Sequence, residues 1–229
     1  MDNDRPVVIA LASPKGGAGK TMATILLACE AANSGSRVLI IDADPQGSSK
    51  RWFENSKRGG FKLEGIECVA LVDRPSLIKT LRATRDADLV LIDIQGTAEA
   101  AQSGALVYAD LVLIPTRAHA ADCRQAIAMA QYVEGLGGRD RTIPQRILFN
   151  AVDVIEIRSS ASKIARGMLE SAKTPVLRTE LYNRTTFKNV ATEGSLYEQA
   201  GETQAVRTAQ QNVRDLMNEV VALLNEDAA

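Results

Sequence analysis

The chain is poor in the residues that most catalytic and metal-binding chemistry relies on. His119 is the only histidine in 229 residues, which argues against His-based triads and multi-His metal sites. The three cysteines, Cys29, Cys68 and Cys123, form no Cys-x-x-Cys pair. An odd count of this kind fits reduced thiols and a cytoplasmic chain rather than a disulfide framework. No apolar run approaches the ~18 residues that a membrane-spanning helix needs. The start, Met1 to Arg5, is polar and carries no apolar core of a leader peptide. No charge sign is in excess, because 27 Lys+Arg against 28 Asp+Glu leave −1, so there is no global pull toward nucleic acid or a membrane surface. Repeats and low-complexity linkers are lacking as well, and one domain is expected over residues 1–229.

What is present is concentrated near the start. Val7 to Ala12 reads as a buried strand, and Met22 to Ala32 as a helix without a breaker. Between them stands Ser13-Pro14-Lys15-Gly16-Gly17-Ala18-Gly19-Lys20-Thr21. Strand, glycine-rich turn and helix, with Lys-Thr opening the helix, is the context of a phosphate-binding loop. Its glycines let backbone N–H groups close on phosphate oxygens, and the helix N-terminus favours an anion. Lys20 then reaches the β- and γ-phosphates, and the Thr21 hydroxyl holds a magnesium ion. The nucleotide-binding run is Lys15, Gly16, Gly17, Ala18, Gly19, Lys20, Thr21 and Met22.

The first loop position is not glycine, and Lys15 is an extra cation. In this the stretch resembles the deviant Walker A box of the ParA/MinD superfamily. The resemblance implies that Lys15 reaches across a dimer interface to the partner's phosphates. A cation there stabilises charge developing in phosphoryl transfer. Asp42-Ala43-Asp44-Pro45-Gln46-Gly47 follows the second expected strand, Arg37–Ile41, and resembles the Asp-x-Asp-Pro-Gln-Gly box of ParA proteins. By that resemblance Asp44 positions or deprotonates the attacking water, and Asp42 stands in the outer shell of the magnesium ion. Leu89-Val-Leu-Ile-Asp93 has the Walker B pattern, with Asp93 holding the metal through water. Relatives often continue with Thr-Pro-Pro; here Ile94-Gln95-Gly96 follows. Asp93-Ile-Gln-Gly96 also fits the Asp-x-x-Gly of GTPases, and Asn150-Ala-Val-Asp153 half fits their base reader, without its lysine. In ParA relatives a residue at this strand end touches adenine, which makes Asn150 a base contact by resemblance. Arg184 to Ala191, with Glu193, Gly194 and Glu198, resembles the ParA stretch that closes over the base and forms part of the dimer and partner surface. The resemblance runs from Val7 to Glu198, closest in the first fifty residues.

The rest of the chain alternates strand and helix. Helices are expected over Ser48–Ser56, Pro75–Arg85, Ala98–Val107, Ala121–Leu136, Arg158–Ala172 and, amphipathic, Glu202–Leu224. Strands are expected over Ile66–Leu71, Asp88–Ile92, Asp110–Ile114, Arg146–Phe149 and Pro175–Leu177. Such alternation predicts an α/β fold, a single P-loop NTPase domain with a largely parallel twisted sheet covered by helices on both faces. Between Arg139 and Val190 ten Lys/Arg face five Asp/Glu, a local +5. Arg158, Lys163 and Arg166 fall near one helix face, and Arg184 and Lys188 stand four apart. These five are candidate DNA contacts.

The ParA resemblance implies a magnesium-dependent ATPase, slow and stimulated by a ParB-like centromere-binding or adaptor protein. It implies a homodimer that forms on ATP and binds DNA without sequence preference, associated with the nucleoid when ATP-bound. The cargo is a plasmid, a chromosomal origin, a protein cluster or a conjugative intermediate. A MinD-like membrane regulator is opposed by the ending Asn225-Glu-Asp-Ala-Ala229, which has no basic residue after Arg214. An iron–sulfur ATPase of the nitrogenase-reductase type would need two suitably placed cysteines per subunit, and Cys68 and Cys123 do not follow that pattern. A scaffold that binds nucleotide and barely hydrolyses it is the remaining rival.

Overall fold

The structure, a computed structural model, describes residues 5–95, 100–138, 141–199, 201 and 203–226. Residues 1–4, Gly96, the first two positions of the helix expected from Ala98, Arg139, Glu202 and the last three residues, 227–229, lie outside the described residues.

Six strands form one parallel sheet: β1 (Val7–Leu11), β2 (Val38–Ala43), β3 (Ile66–Ala70), β4 (Leu89–Ile94), β5 (Leu111–Thr116) and β6 (Gln145–Phe149), in the order β3-β2-β4-β1-β5-β6. β4 and β5 are buried along their whole length, as strands covered on both faces must be. Ile9, Leu11, Ile40, Leu91 and Leu113 point to one layer. There α1 (Lys20–Asn33), α2 (Ser48–Arg58), α7 (Thr185–Thr192) and α8 (Gln204–Glu226) cover the sheet. Val8, Ala10, Leu39, Ile41, Val90, Ile92, Val112 and Ile114 point to the other layer. That layer is built by α3 (Arg74–Ala83), α4 (Ala100–Tyr108), α5 (Ala120–Leu136) and α6 (Ser160–Ser171). The alternation is the period-2 consequence of the pleat.

Register places the functional boxes at one edge. Asp42 lies opposite Asp93 across β2 and β4, and Leu11, the last residue of β1, lies opposite Asp93 across β1 and β4. All three strands run parallel, so their carboxyl ends share a side, where ligands of open α/β sheets bind.

Two expected elements differ. Pro175–Leu177 is not a strand; Val176 makes only an isolated bridge to Ile147. Arg158 is not in the helix that follows. It ends a 3₁₀ turn, Glu156–Arg158, and Ser159 caps α6 by accepting the Ser162 N–H at 3.1 Å. Ser is a strong N-cap, so the helix starts after it.

The tail helix packs as an amphipathic element, with Ala209, Val213, Leu216 and Val220 fully buried on α1's layer. No helix among the described residues is long and apolar enough to cross a membrane. Arg214 of α8 pairs with Glu30 of α1 at 3.4 Å, and Glu30 is only 2% exposed. Burial holds the Glu30 carboxyl above its ordinary value near 4.5, and Arg214 opposes that rise. Arg214→Ala is expected to cost about 1–3 kcal/mol, because it strands a buried carboxylate. The folded state then binds the Glu30 proton even more tightly than the unfolded chain does. Stability therefore falls as pH rises through that window, and the loss is larger at about pH 8 than at about pH 5. Urea unfolding at the two pH values measures it; equal losses would contradict the pairing.

Candidate nucleotide site

The loop between β1 and α1 is shaped by two glycines in left-handed conformations, Gly17 at φ 81° and Gly19 at φ 90°. Gly19 is required for a second reason. A Cβ there would stand 1.8 Å from the Asn150 amide nitrogen. That amide, at the end of β6, donates to the Ala18 carbonyl at 2.9 Å. Asn150 is thus buried against the loop itself.

Lys20 opens α1 and is 6% exposed. Burial lowers the pKa of its ammonium, while the charges of Asp93 and Asp44 oppose the shift. The adjacent Thr21 hydroxyl donates to Asp93 Oδ2 at 2.7 Å, and the Ser49 hydroxyl of α2 donates to the same oxygen at 2.7 Å. Asp93 is 1% exposed, and burial pushes its carboxyl up to about 6 against those two hydrogen bonds. Its other oxygen, Oδ1, is buried with no hydrogen-bond partner among the described residues. A buried carboxylate oxygen left open beside a threonine hydroxyl is a hard-oxygen donor pair that suits magnesium, an ion that uses few protein ligands and keeps its waters. No cluster of three or more His, Cys, Asp or Glu that could hold a metal by itself occurs among the described residues.

Asp42 is fully buried, and both its oxygens accept backbone N–H groups, Asp44 at 3.2 Å and Lys50 at 2.8 Å. Burial raises its pKa. It braces the turn that carries Asp44 and the start of α2. Asp44 is half-buried, and its Oδ1 accepts the Gln46 N–H at 2.8 Å, an Asx turn.

Lys15 is turned toward α5. It is exposed, and its Nζ pairs with Asp122 of α5 at 3.2 Å. Between the loop and α5 lies a cavity of about 160 Å³, lined by residues 13–18 and by Pro115, Thr116, Arg117, Asp122, Gln125 and Ala126. Arg117 donates to the Gly17 carbonyl at 3.3 Å. Ser49, Asp122 and Arg117 were not foreseen from the sequence. Ser49 had a signal, since it lies two residues past the Asp42–Gly47 box. Asp122 and Arg117 had none, since only the fold brings them to the loop.

The candidate DNA residues divide. Arg158, Lys163 and Lys188 are exposed. Arg166 is not a free surface cation: it pairs with Glu180, and its guanidinium lies 4.3 Å from the centre of the Phe149 ring. Arg184 is half-buried over the Tyr182 ring. Arg158 and Lys163 belong to the layer of α6, whereas Arg184 and Lys188 belong to that of α7, across the sheet. Nor do the cysteines suit a shared cluster. Cys68 and Cys123 are buried in opposite layers, their thiols pushed up to about 12 and about 11 by burial.

The parallel sheet, the glycine loop with its second lysine, and the aspartates gathered at its edge define a P-loop nucleotide-binding protein of the ParA/MinD type with a deviant Walker A box. The family model described as VirC1 protein matches residues 7–226, and the chain belongs to that family. It is 28% identical to Protein ParA of Rhizobium radiobacter over 208 residues, 90% of this chain and 89% of that one. It is 28% identical to Protein virC1 of the same organism over 222 residues, 94% and 95% of the two chains. The maintenance of carboxysome distribution protein A of Halothiobacillus neapolitanus is 27% identical over 223 residues, covering 96% and 99%. Among solved structures, the MinC:MinD complex of Aquifex aeolicus superposes with a TM-score of 0.71 at 18% identity over 93% of this chain and 96% of that one. MinD of Pyrococcus horikoshii, complexed with Mg-ADP, gives 0.65 at 14% identity over 92% and 96%.

Proposed function

We propose that this chain is a magnesium-dependent, ParA-type ATPase that dimerises on ATP, binds duplex DNA without sequence preference, and positions a plasmid, chromosomal or conjugative DNA cargo. One observation carries the reading. Lys20, Thr21, Asp93 and Asp44 converge at one sheet edge, while Lys15 is turned outward onto Asp122. Lys20 neutralises phosphate charge, and the Thr21 hydroxyl and the Asp93 carboxylate would hold magnesium, which offsets charge on the transferring phosphoryl group. Asp44 accepts a proton from, or orients, the attacking water. Lys15, outside its own phosphate cradle, serves a second subunit once that contact outcompetes Asp122. The relatives Protein ParA, Protein virC1 and the maintenance of carboxysome distribution protein A support a positioning role; a ParB-like or adaptor partner stimulating hydrolysis belongs to the same reading.

Lys15→Gln is accordingly expected to leave the monomer's ATP affinity within about twofold. It should weaken dimer formation with a slowly hydrolysed ATP analogue by ~10-fold or more, because only a cross-subunit charge contact is lost. Light scattering after gel filtration measures the dimer, and a normal analogue-dependent dimer would contradict this role for Lys15.

For DNA, the exposed Arg158 and Lys163 are the residues to reverse, since Arg166 is committed to Glu180. Duplex binding is expected to need ATP, to ignore sequence and to fall steeply with salt. Arg158→Glu with Lys163→Glu should weaken it uniformly while ATP affinity stays unchanged. A second reading of this face has its own support. Val154, Ile155 and Ile164 are exposed here, Ile155 to 89%, as on a protein-docking surface. DNA affinity unaltered by the reversals takes this face out of DNA binding and leaves it to a protein partner or to no partner.

A further inference from the structure

Arg117 has no role in the chemistry described so far, yet it stands at the phosphate loop. It leads from β5 into α5, on the layer opposite α1, and is exposed. Its guanidinium meets the loop through the Gly17 carbonyl oxygen at 3.3 Å. In a phosphate loop the N–H groups converge on the anion, so a carbonyl held by an outside donor marks the loop's outer face. The next carbonyl, Ala18, is likewise held from outside, by Asn150. Arg117 is therefore on the side away from the phosphates that its own loop would cradle, the side where Lys15 also points.

The two outward cations differ in how they are held. Lys15 has a carboxylate partner in Asp122. Among the described residues Arg117 has no ion pair, although Asp153 and Glu156 line a neighbouring cavity of about 250 Å³ that Arg117 also borders. One long hydrogen bond uses a single N–H of the five on a guanidinium. Arg117 lines the loop-side cavity as well. An unpaired guanidinium is matched by a phosphate that can take two parallel N–H bonds.

We propose that Arg117 is a second cross-subunit cation: in the ATP-bound dimer its guanidinium leaves the Gly17 carbonyl and contacts phosphate oxygens of the nucleotide held by the partner subunit. The proposal rests on the dimeric ATPase reading above. It adds a planar, bidentate donor to the point charge of Lys15. An arginine delivered from outside a phosphate site stabilises the charge that spreads over the transferring group.

The test uses the full chain, with Arg117→Ala alone and mixed with Asp44→Ala. Arg117→Ala should keep the monomer's affinity for a fluorescent ATP analogue and lose ~10²-fold or more in turnover. In an equal mixture, mixed dimers have one live site: the Arg117→Ala subunit keeps its own Asp44 and receives Arg117 from the Asp44→Ala subunit. Random pairing makes half of the dimers mixed, so activity should recover to at most roughly a quarter of the wild-type rate per site. Recovery well above the sum of the two variants supports the proposal. With a wild type that dimerises and turns over, absence of recovery overturns the cross-subunit role alone. A lowered monomer affinity in Arg117→Ala without recovery assigns the residue to bracing Gly17 and overturns it too. A wild type that does not dimerise with the analogue overturns both this proposal and the reading it rests on.

Discussion

Lys20→Ala is expected to abolish ATP binding, with affinity reduced by at least ~100-fold, the loss of a buried, charge-assisted phosphate contact together with the carboxylate it leaves uncompensated. Two features make this the largest effect in the molecule. Lys20 is buried at 6% exposure, and its neighbours are Asp93 and Asp44. Without the ammonium, a triphosphate would approach two carboxylates through the same opening. The rest of the loop is positioned independently, by the Gly17 and Gly19 conformations and by the Asn150 brace on Ala18. A variant that melts like wild type and fails to bind nucleotide is therefore the expected result. Titration with fluorescent ATP, alongside a thermal melt, measures both. Wild-type affinity would remove Lys20 from the phosphate site.

The second large effect is on rate. Asp44→Ala should still bind ATP and dimerise but hydrolyse ~10²-fold or more slowly, the usual contribution of a positioned general base. The structure makes a sharper version possible. Asp44 Oδ1 also accepts the Gln46 N–H at 2.8 Å and so holds its own turn. Asp44→Asn keeps an acceptor for that N–H and loses the basic carboxylate. If the carboxylate serves the water, Asn and Ala are equally slow in single turnover. If Asp44 only shapes the turn, Asn restores most of the rate.

The sequence was most legible where physics acts locally. Strands β4 and β5 are buried along their whole length because both faces are covered, and the apolar runs Leu89–Ile92 and Leu111–Ile114 that begin them need no partner to be read. The glycine loop announces its own geometry, since Gly17 and Gly19 stand where only glycine is relaxed. The box around Asp42 and Asp44 was readable as a box, but not what its first aspartate does. Both Asp42 oxygens are taken by N–H groups of the turn and of α2, which spacing alone could not reveal. The partner of Lys15 lies 107 positions away in Asp122, and that of Gly17 lies 100 away in Arg117. Such contacts arise from strand order. The same limit governs the basic stretch. Helical spacing put Arg166 beside Lys163, but the long arginine stem turns back to Glu180 and Phe149 instead of to solvent. Charge counts likewise could not tell that α6 and α7 lie on opposite layers.

The central claim is that nucleotide state sets subunit association, and sedimentation velocity of the wild-type chain tests it most directly. At one protein concentration, with magnesium and a slowly hydrolysed ATP analogue, the chain should sediment as a dimer; with magnesium and ADP, as a monomer. The same sedimentation coefficient in both nucleotides would contradict the account: a monomer in both leaves Lys15 and Arg117 no second subunit to serve, and a dimer in both means that nucleotide state does not set association.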